Sequence, residues 1–160
     1  MTYDIDQEFL RESVEIDRTD LQGEFGRVAS QLAYWTERHA EAQGVTGEAK
    51  YALETVDARL GLRHRETLRQ QVELGKLVVA RGITEAMVRE QVVLDPEYRA
   101  ARLGLIEAEA VEARLNGITK AVVTKRDMLI SLGAHVRAEM GLDPVIRMQA
   151  ARDVAARGGY

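Results

Sequence analysis

Residues 111–136 read VEARLNGITKAVVTKRDMLISLGAHV, and this stretch decides the fold class. Apolar side chains recur in it at alternating intervals of four and three residues, the heptad pattern of a helix that packs against another helix. The positions on this stripe are Val111, Leu115, Ile118, Val122, Lys125, Leu129, Leu132 and Val136. Upstream, Asp95 and Pro96 form a helix start signal, and downstream Gly141 and Pro144 form a stop signal. We therefore expect one long helix between these two signals.

A second stripe with the same intervals lies nearer the N-terminus and contains the only tryptophan of the chain. Its positions are Leu21, Phe25, Val28, Leu32, Trp35, His39 and Ala42. We expect Thr19 to cap this helix and Gly44 to end it. The first five positions of the stripe are predicted to be core or interface anchors: Leu21, Phe25, Val28, Leu32 and Trp35. The Trp35 ring is therefore expected to be a packing anchor rather than part of a ligand site.

The stretch between the two stripes predicts shorter elements. Residues 47–60 are predicted to form a helix with one apolar face, and a further short helix is expected from Thr84 to Leu94. Residues 61–82 are compatible with a continued helix or with a flexible basic segment, because two glycines weaken the helical pattern there. Residues 142–160 are expected to be a C-terminal tail, helical or disordered.

These elements predict an all-α fold: long helices in an antiparallel hairpin or bundle with coiled-coil character, within one domain over residues 1–141. The two stripes are too long to be buried inside one globule of this size. Each long helix therefore needs a partner helix, from the same chain or from another subunit, and this favours an oligomer.

The composition argues against several classes of function. The chain has no cysteine, which excludes a disulfide framework and a cysteine nucleophile. Its histidines, His39, His64 and His135, are scattered and form no pair at metal-ligand spacing. The sequence ELGKLV around Lys76 lacks the first glycine and the Ser or Thr of a phosphate-binding loop. We expect no enzymatic activity, no metal and no cofactor.

The sequence also argues against a membrane protein. Its longest apolar runs are only a few residues, and the acidic N-terminus has no apolar signal region. We expect a cytoplasmic protein without membrane contact.

Charge is unevenly distributed along the chain, although the net charge is only −4. Residues 1–24 carry eight acidic residues against two arginines, whereas residues 59–81 carry six cationic residues against two acidic ones. The predicted contacts to nucleic acid are the cations of this basic segment: Arg59, Arg63, Arg65, Arg69 and Lys76. A solvated helix face explains the same pattern equally well. No aromatic residue lies between Tyr51 and Tyr98, so any binding should be mainly to phosphates and sensitive to salt.

Residues 16–40, IDRTDLQGEFGRVASQLAYWTERHA, resemble the N-terminal part of the T4-type bacteriophage recombination mediator family, UvsY. The matching features in order are Ile16-Asp17, Thr19, Leu21-Gln22, Glu24, Val28, Trp35 and His39. The sequence DARL at 57–60 resembles the short basic motif with which the family binds single-stranded DNA. Arg59 stands at the arginine position of that motif, and Asp57 stands where the family has a lysine. Residues 84–140 resemble the family only in their helical pattern.

The resemblance implies a small, non-catalytic, helical protein that forms a ring of about six or seven subunits. If the chain is phage-encoded, as the resemblance implies, we expect it in the cytoplasm of the host cell. It implies binding to single-stranded DNA, and it implies that the protein helps a RecA-like recombinase to load onto strands coated by single-strand-binding protein. The competing interpretation is a coiled-coil structural or scaffolding protein without a nucleic-acid role. The net negative charge and the lack of aromatic residues in the basic segment favour that alternative.

Overall fold

The computed structural model describes residues 5–78 and 82–142, and beyond them Val145, Met148, Gln149 and Arg152. This part of the chain contains helices and no strand. The helices are α1 (Gln7–Val14), α2 (Leu21–Glu73), α3 (Glu85–Leu94) and α4 (Pro96–Leu142). The chain divides into a terminal unit, Met1–Thr36 with Gly117–Tyr160, and a central unit, Glu37–Asn116. The predicted all-α class is confirmed, whereas most of the predicted tail lies outside the described residues.

The start of α2 is fixed by an aspartate rather than by the predicted threonine. Asp20 Oδ1 accepts a hydrogen bond from the Gly23 N–H at 2.9 Å, which satisfies one unpaired donor of the first turn. The Thr19 hydroxyl instead donates to Asp17 at 2.6 Å, before the helix begins. The prediction that Thr19 caps this helix is therefore wrong by one residue.

The starts of α3 and α4 agree with the sequence. The Thr84 hydroxyl accepts a hydrogen bond from the Met87 N–H at 3.4 Å and caps α3. Asp95 accepts one from the Glu97 N–H at 2.9 Å, and Pro96 occupies the first helical position of α4. The predicted short helix and the predicted start of the long helix are confirmed.

The predicted break at Gly44 is wrong, because α2 runs through Gly44 and Gly61 to Glu73. A glycine inside a helix costs about 1 kcal/mol relative to alanine, which packing along a long helix can offset. The stop lies at Gly75, whose φ of 67° is the left-handed conformation of a helix end. The Lys76 N–H donates to the Gln71 carbonyl at 2.9 Å and closes the last turn. Residues 61–73 thus continue the helix, which is one of the two predicted alternatives for residues 61–82.

The buried stripe of α2 in the terminal unit differs in register from the predicted one. Its buried side chains are Glu24, Val28, Gln31 and Trp35. Phe25 is 40% exposed, so of the two predicted roles, core or interface anchor, it does not fill the first within one chain. Leu21 and Leu32 are only half-buried. Val28 and Trp35 of the predicted stripe are therefore buried, and the polar residues Glu24 and Gln31 are buried in place of their neighbours Phe25 and Leu32.

A buried lysine explains this shift. Lys125 of α4 is 2% exposed, and its Nζ lies 2.6 Å from Glu24 Oε2. The same ammonium group donates to Gln31 Oε1 at 3.3 Å and to the Glu12 carbonyl at 2.8 Å. A buried charge must be paired and hydrogen-bonded, so α2 turns its polar residues towards Lys125.

Three aromatic rings, Phe9, Tyr34 and Trp35, form a cluster between α1 and α2. Phe9 stacks on Trp35 with ring centres 5.7 Å apart, and Tyr34 meets both rings edge-on at 5.0 and 5.1 Å. On its other side, the Trp35 carbonyl accepts a hydrogen bond from the Thr119 hydroxyl of α4 at 3.2 Å. The aromatic residues gathered around Trp35 therefore pack α1 onto α2, and α1 itself was not predicted.

The predicted stripe of α4 is buried over its middle. Its fully covered members are Leu115, Ile118, Val122, Lys125 and Leu129, and the half-buried ones are Val111, Leu132 and Val136. In the terminal unit, Lys125 pairs with Glu24 whereas Thr119 pairs with Trp35. The later residue on one helix meets the earlier residue on the other, so α2 and α4 are antiparallel there.

The core of the central unit joins α2 to α3. Leu60 and Leu68 of α2 are buried against Val88 and Val92 of α3, and Tyr98 of α4 packs against the same cluster. Val88 and Val92 are four residues apart and therefore present one face of α3 to α2. This packing holds the arginine-rich part of α2 beside α3 and the start of α4.

Candidate nucleic-acid interface

The predicted cations lie in the central unit and are solvent-exposed. The four arginines belong to the last third of α2: Arg59, Arg63, Arg65 and Arg69. Their side chains are between 35% and 62% exposed. Lys76 follows in the turn after α2 and is exposed as well. The fold thus keeps all five predicted contacts accessible on the same unit.

Glu97 binds two of these arginines at once. One carboxylate oxygen contacts Arg59 and the other lies 3.9 Å from Arg63 Nη2. Arg59 and Arg63 are four residues apart, so they project from the same face of α2 towards the first turn of α4. Glu97 is 38 positions from Arg59 in sequence, and only the fold brings this negative charge to the basic segment.

The other two arginines also have carboxylate partners. Arg65 makes a two-pronged contact with Glu85 of α3, at 2.6 and 2.7 Å, and Arg69 lies 3.9 Å from Glu66. In the folded unit these four arginines are therefore paired with carboxylates of α3, of α4 and of α2 itself. These pairs are exposed, and exposed ion pairs contribute only about 0–1 kcal/mol each.

Asp57, which stands where the resembled family has a lysine, is paired with a cation from α3. Its Oδ1 contacts Arg89 Nη1, and Arg89 Nη2 donates to the Tyr98 hydroxyl at 3.1 Å. The Arg89 guanidinium also lies 5.3 Å from the centre of the Tyr98 ring, within cation–π range. The carboxylate of Asp57 is thus neutralised by Arg89, and an aromatic residue stands close to the basic segment in space.

His64 ties α2 to the junction of α3 and α4. Its Nε2 lies 3.0 Å from Asp95 Oδ2, and both side chains are mostly covered. The hydrogen bond from the Glu97 N–H, followed by the contact with His64, lowers the pKa of Asp95 from its ordinary value. Asp95 therefore carries a negative charge at neutral pH, where it serves both as helix cap and as histidine partner.

Sequence reasoning missed Glu97, Arg89 and Tyr98 as neighbours of the basic segment. No local pattern identifies them, because each lies more than 25 residues from Arg59 along the chain. The one signal was Asp95-Pro96, which predicts that α3 ends and α4 begins there. A short helix followed at once by another brings the start of α4 back beside α2.

The described residues contain no group of three or more His, Cys, Asp or Glu side chains arranged to hold a metal ion. Within that same part of the chain, no helix is long and apolar enough to cross a membrane. No protein-family model, no curated protein and no solved structure matches this chain.

Proposed function

We propose that this protein is a non-enzymatic recombination mediator of a bacteriophage. It binds single-stranded DNA as a ring-shaped homo-oligomer and helps a RecA-like recombinase to load onto strands covered by single-strand-binding protein. The sequence basis is the resemblance of residues 16–40 and of the motif at 57–60. The structural support is narrower and concerns the DNA contact alone.

The observation that carries the proposal is the exposed row of arginines on α2, held by exposed carboxylates. A carboxylate that contributes at most about 1 kcal/mol to an arginine can be displaced by a phosphate, which accepts charge-assisted, two-pronged hydrogen bonds of the same kind. Glu97 is the central case, because it holds Arg59 and Arg63 together. The row then serves as a phosphate-binding face, and repetition of the row in a ring raises the affinity through avidity.

The first test measures binding of a labelled oligothymidine strand by fluorescence anisotropy over a range of salt concentrations. The double variant Arg59→Ala/Arg63→Ala should bind more weakly and should flatten the salt dependence by about 0.7 per lost phosphate contact. The control is Arg126→Ala, which removes an exposed, ion-paired arginine of the terminal unit. An unchanged affinity in the double variant would remove these arginines from the proposed interface.

The second test addresses mediation itself. Full-length protein is added to a RecA-like recombinase and to DNA coated with single-strand-binding protein, and strand-dependent ATP hydrolysis is followed. The wild type should shorten the lag before hydrolysis, and Arg59→Ala/Arg63→Ala should not. Single-strand binding without any effect on the lag would reduce the proposal to a DNA-binding protein.

A second candidate function is a structural or scaffolding protein without a nucleic-acid role. The pairing of all four arginines with carboxylates favours it, because it lowers the positive potential of the segment. This candidate predicts an assembled protein that binds no single-stranded DNA even at low salt. The anisotropy experiment therefore decides between the two.

A further inference from the structure

A shallow groove of about 350 Å³ lies in the central unit, where the end of α3 meets the beginning of α4. It is lined by Val93, Tyr98, Arg99, Arg102 and Leu103, and its surface is mostly apolar. Leu103 is 59% exposed, and Val93 is exposed as well. Exposed aliphatic side chains beside two arginines form a surface with an apolar floor and a cationic rim.

The arginines of this groove differ from those of α2 in their partners. Among the described residues, neither Arg99 nor Arg102 forms an ion pair, and Arg99 Nε donates only to the Val93 carbonyl, at 3.3 Å. The two side chains are three residues apart and therefore lie on one face of α4. Phosphates can reach these two guanidinium groups without displacing a carboxylate.

Tyr98 supplies the aromatic residue that the basic segment lacks. The bond from Arg89 Nη2 to its hydroxyl holds the ring beside the groove, where it packs partly against the core. Nucleic-acid bases are bound by aromatic and apolar side chains, and their phosphates by arginines. The groove combines these requirements in one place.

We propose that this groove binds a base of single-stranded nucleic acid, with the base against Leu103 and Tyr98 and the adjoining phosphates on Arg99 and Arg102. This inference rests on the proposed function and extends it from phosphate contact to base contact. An acidic peptide with one apolar anchor would meet the same charges. The nucleic acid is favoured because the groove is shallow and is lined by part of the Tyr98 ring beside two arginines.

The experiment compares two labelled strands of about 20 nucleotides, oligothymidine and a strand of the same length with abasic sites throughout. Base contacts are worth about 1–3 kcal/mol each, so wild type should bind oligothymidine at least about fivefold more tightly. Leu103→Asn changes the groove floor without changing charge, and it should bring this ratio close to one. Ile130→Asn is the matched control, because Ile130 is similarly exposed but lies on the part of α4 in the terminal unit.

The two arginines of the groove are tested with the same two strands. Arg99→Ala/Arg102→Ala should weaken binding of both strands and should flatten the salt dependence by up to about 0.7 per contact. If Leu103→Asn keeps the wild-type ratio, or if the arginine variant binds both strands like wild type, the groove is not the base site. The proposed function would then still be supported by the exposed arginines of α2. Binding of a glutamate-rich peptide, but not of oligothymidine, would overturn the inference and the proposed function together.

Discussion

Lys125 carries a charge at a buried position, where an unpaired charge would be strongly destabilising. It lies on an apolar stripe, is almost fully buried, and has Glu24 as its charged partner. Lys125→Met leaves the Glu24 carboxylate buried with one exposed arginine, Arg27, as its remaining cation. We expect a loss of about 3–5 kcal/mol in the free energy of unfolding, measured with urea.

The double variant Glu24→Leu/Lys125→Met provides the control for this prediction. It removes both charges and replaces them with apolar groups, so it should be far more stable than the single variant and close to wild type. A single variant that unfolds at the wild-type urea concentration would show that the pair contributes nothing to stability.

The same pair predicts an acid dependence of stability. Burial raises the pKa of Glu24, but hydrogen bonds from Lys125 and Arg27 outweigh burial and hold it below its ordinary value. A carboxyl group with a lower pKa in the folded state stabilises the fold above its unfolded pKa, and this contribution disappears as the pH falls through the folded pKa. Urea unfolding between about pH 7 and pH 3 should show a steeper loss below about pH 4.5 in wild type than in Glu24→Leu/Lys125→Met. Equal slopes would contradict it.

For a variant of Glu97 we predict tighter DNA binding, whereas the arginine variants of α2 should bind DNA more weakly. Glu97→Gln removes the negative charge that holds Arg59 and Arg63, so affinity for oligothymidine should rise and the salt dependence should become steeper. Glu109→Gln changes the net charge by the same amount at an exposed site of α4 and is the control. If both variants bind alike, the gain comes from net charge rather than from release of the two arginines.

At the scale of the helices, the sequence predicted starts better than stops. Asp95-Pro96 and Thr84 are local signals with a direct physical effect on the first turn, and both hold in the structure. Gly44 and Gly75 look alike in sequence, but only Gly75 adopts a positive φ and ends a helix. The difference depends on packing along α2, which no short window contains.

The register of the α2 stripe was out of reach for a related reason. A pattern of apolar residues favours Phe25 and Leu32 over Glu24 and Gln31 as the buried side chains of α2. That choice is right when the helix packed against them presents only apolar side chains. The neighbour here is Lys125, which requires polar partners. A lysine on an apolar stripe is the signal that could have suggested a buried carboxylate opposite it.

The two glycines give a prediction about helix stability. Apart from its chain neighbours and the adjacent helix backbone, no atom lies within 4 Å of where a Cβ on Gly44 would be. Its φ is helical, so Gly44→Ala should stabilise the chain by about 0.5–1 kcal/mol. Gly75→Ala should destabilise it, because φ at that site is 67°. Thermal unfolding followed by circular dichroism measures both changes. A destabilised Gly44→Ala variant would indicate that another surface packs closely there.

At the scale of the whole molecule, the composition of the site was predictable and its electrostatics were not. The exposed arginines of α2 stand where the charge count along the chain suggested. Three of them have Glu85 or Glu97 as partners and Arg69 has Glu66 of α2, and the cations without carboxylate partners in the described part include Arg99 and Arg102. Charge counted along a segment therefore overestimates its positive potential whenever other helices pack beside it.

The last prediction concerns assembly. A single chain leaves many large apolar side chains exposed, among them Tyr51, Leu62, Ile106 and Met128. We expect exposed apolar side chains of this kind to be covered by other copies of the chain. Light scattering at micromolar concentration should therefore give a mass several times the 17.9 kDa of one chain. Ile106→Glu should lower that mass because it places a charge on the apolar surface, whereas Arg59→Ala/Arg63→Ala should leave it unchanged. A wild-type monomer would exclude a ring, and avidity could then no longer explain tight binding by exposed, carboxylate-paired arginines.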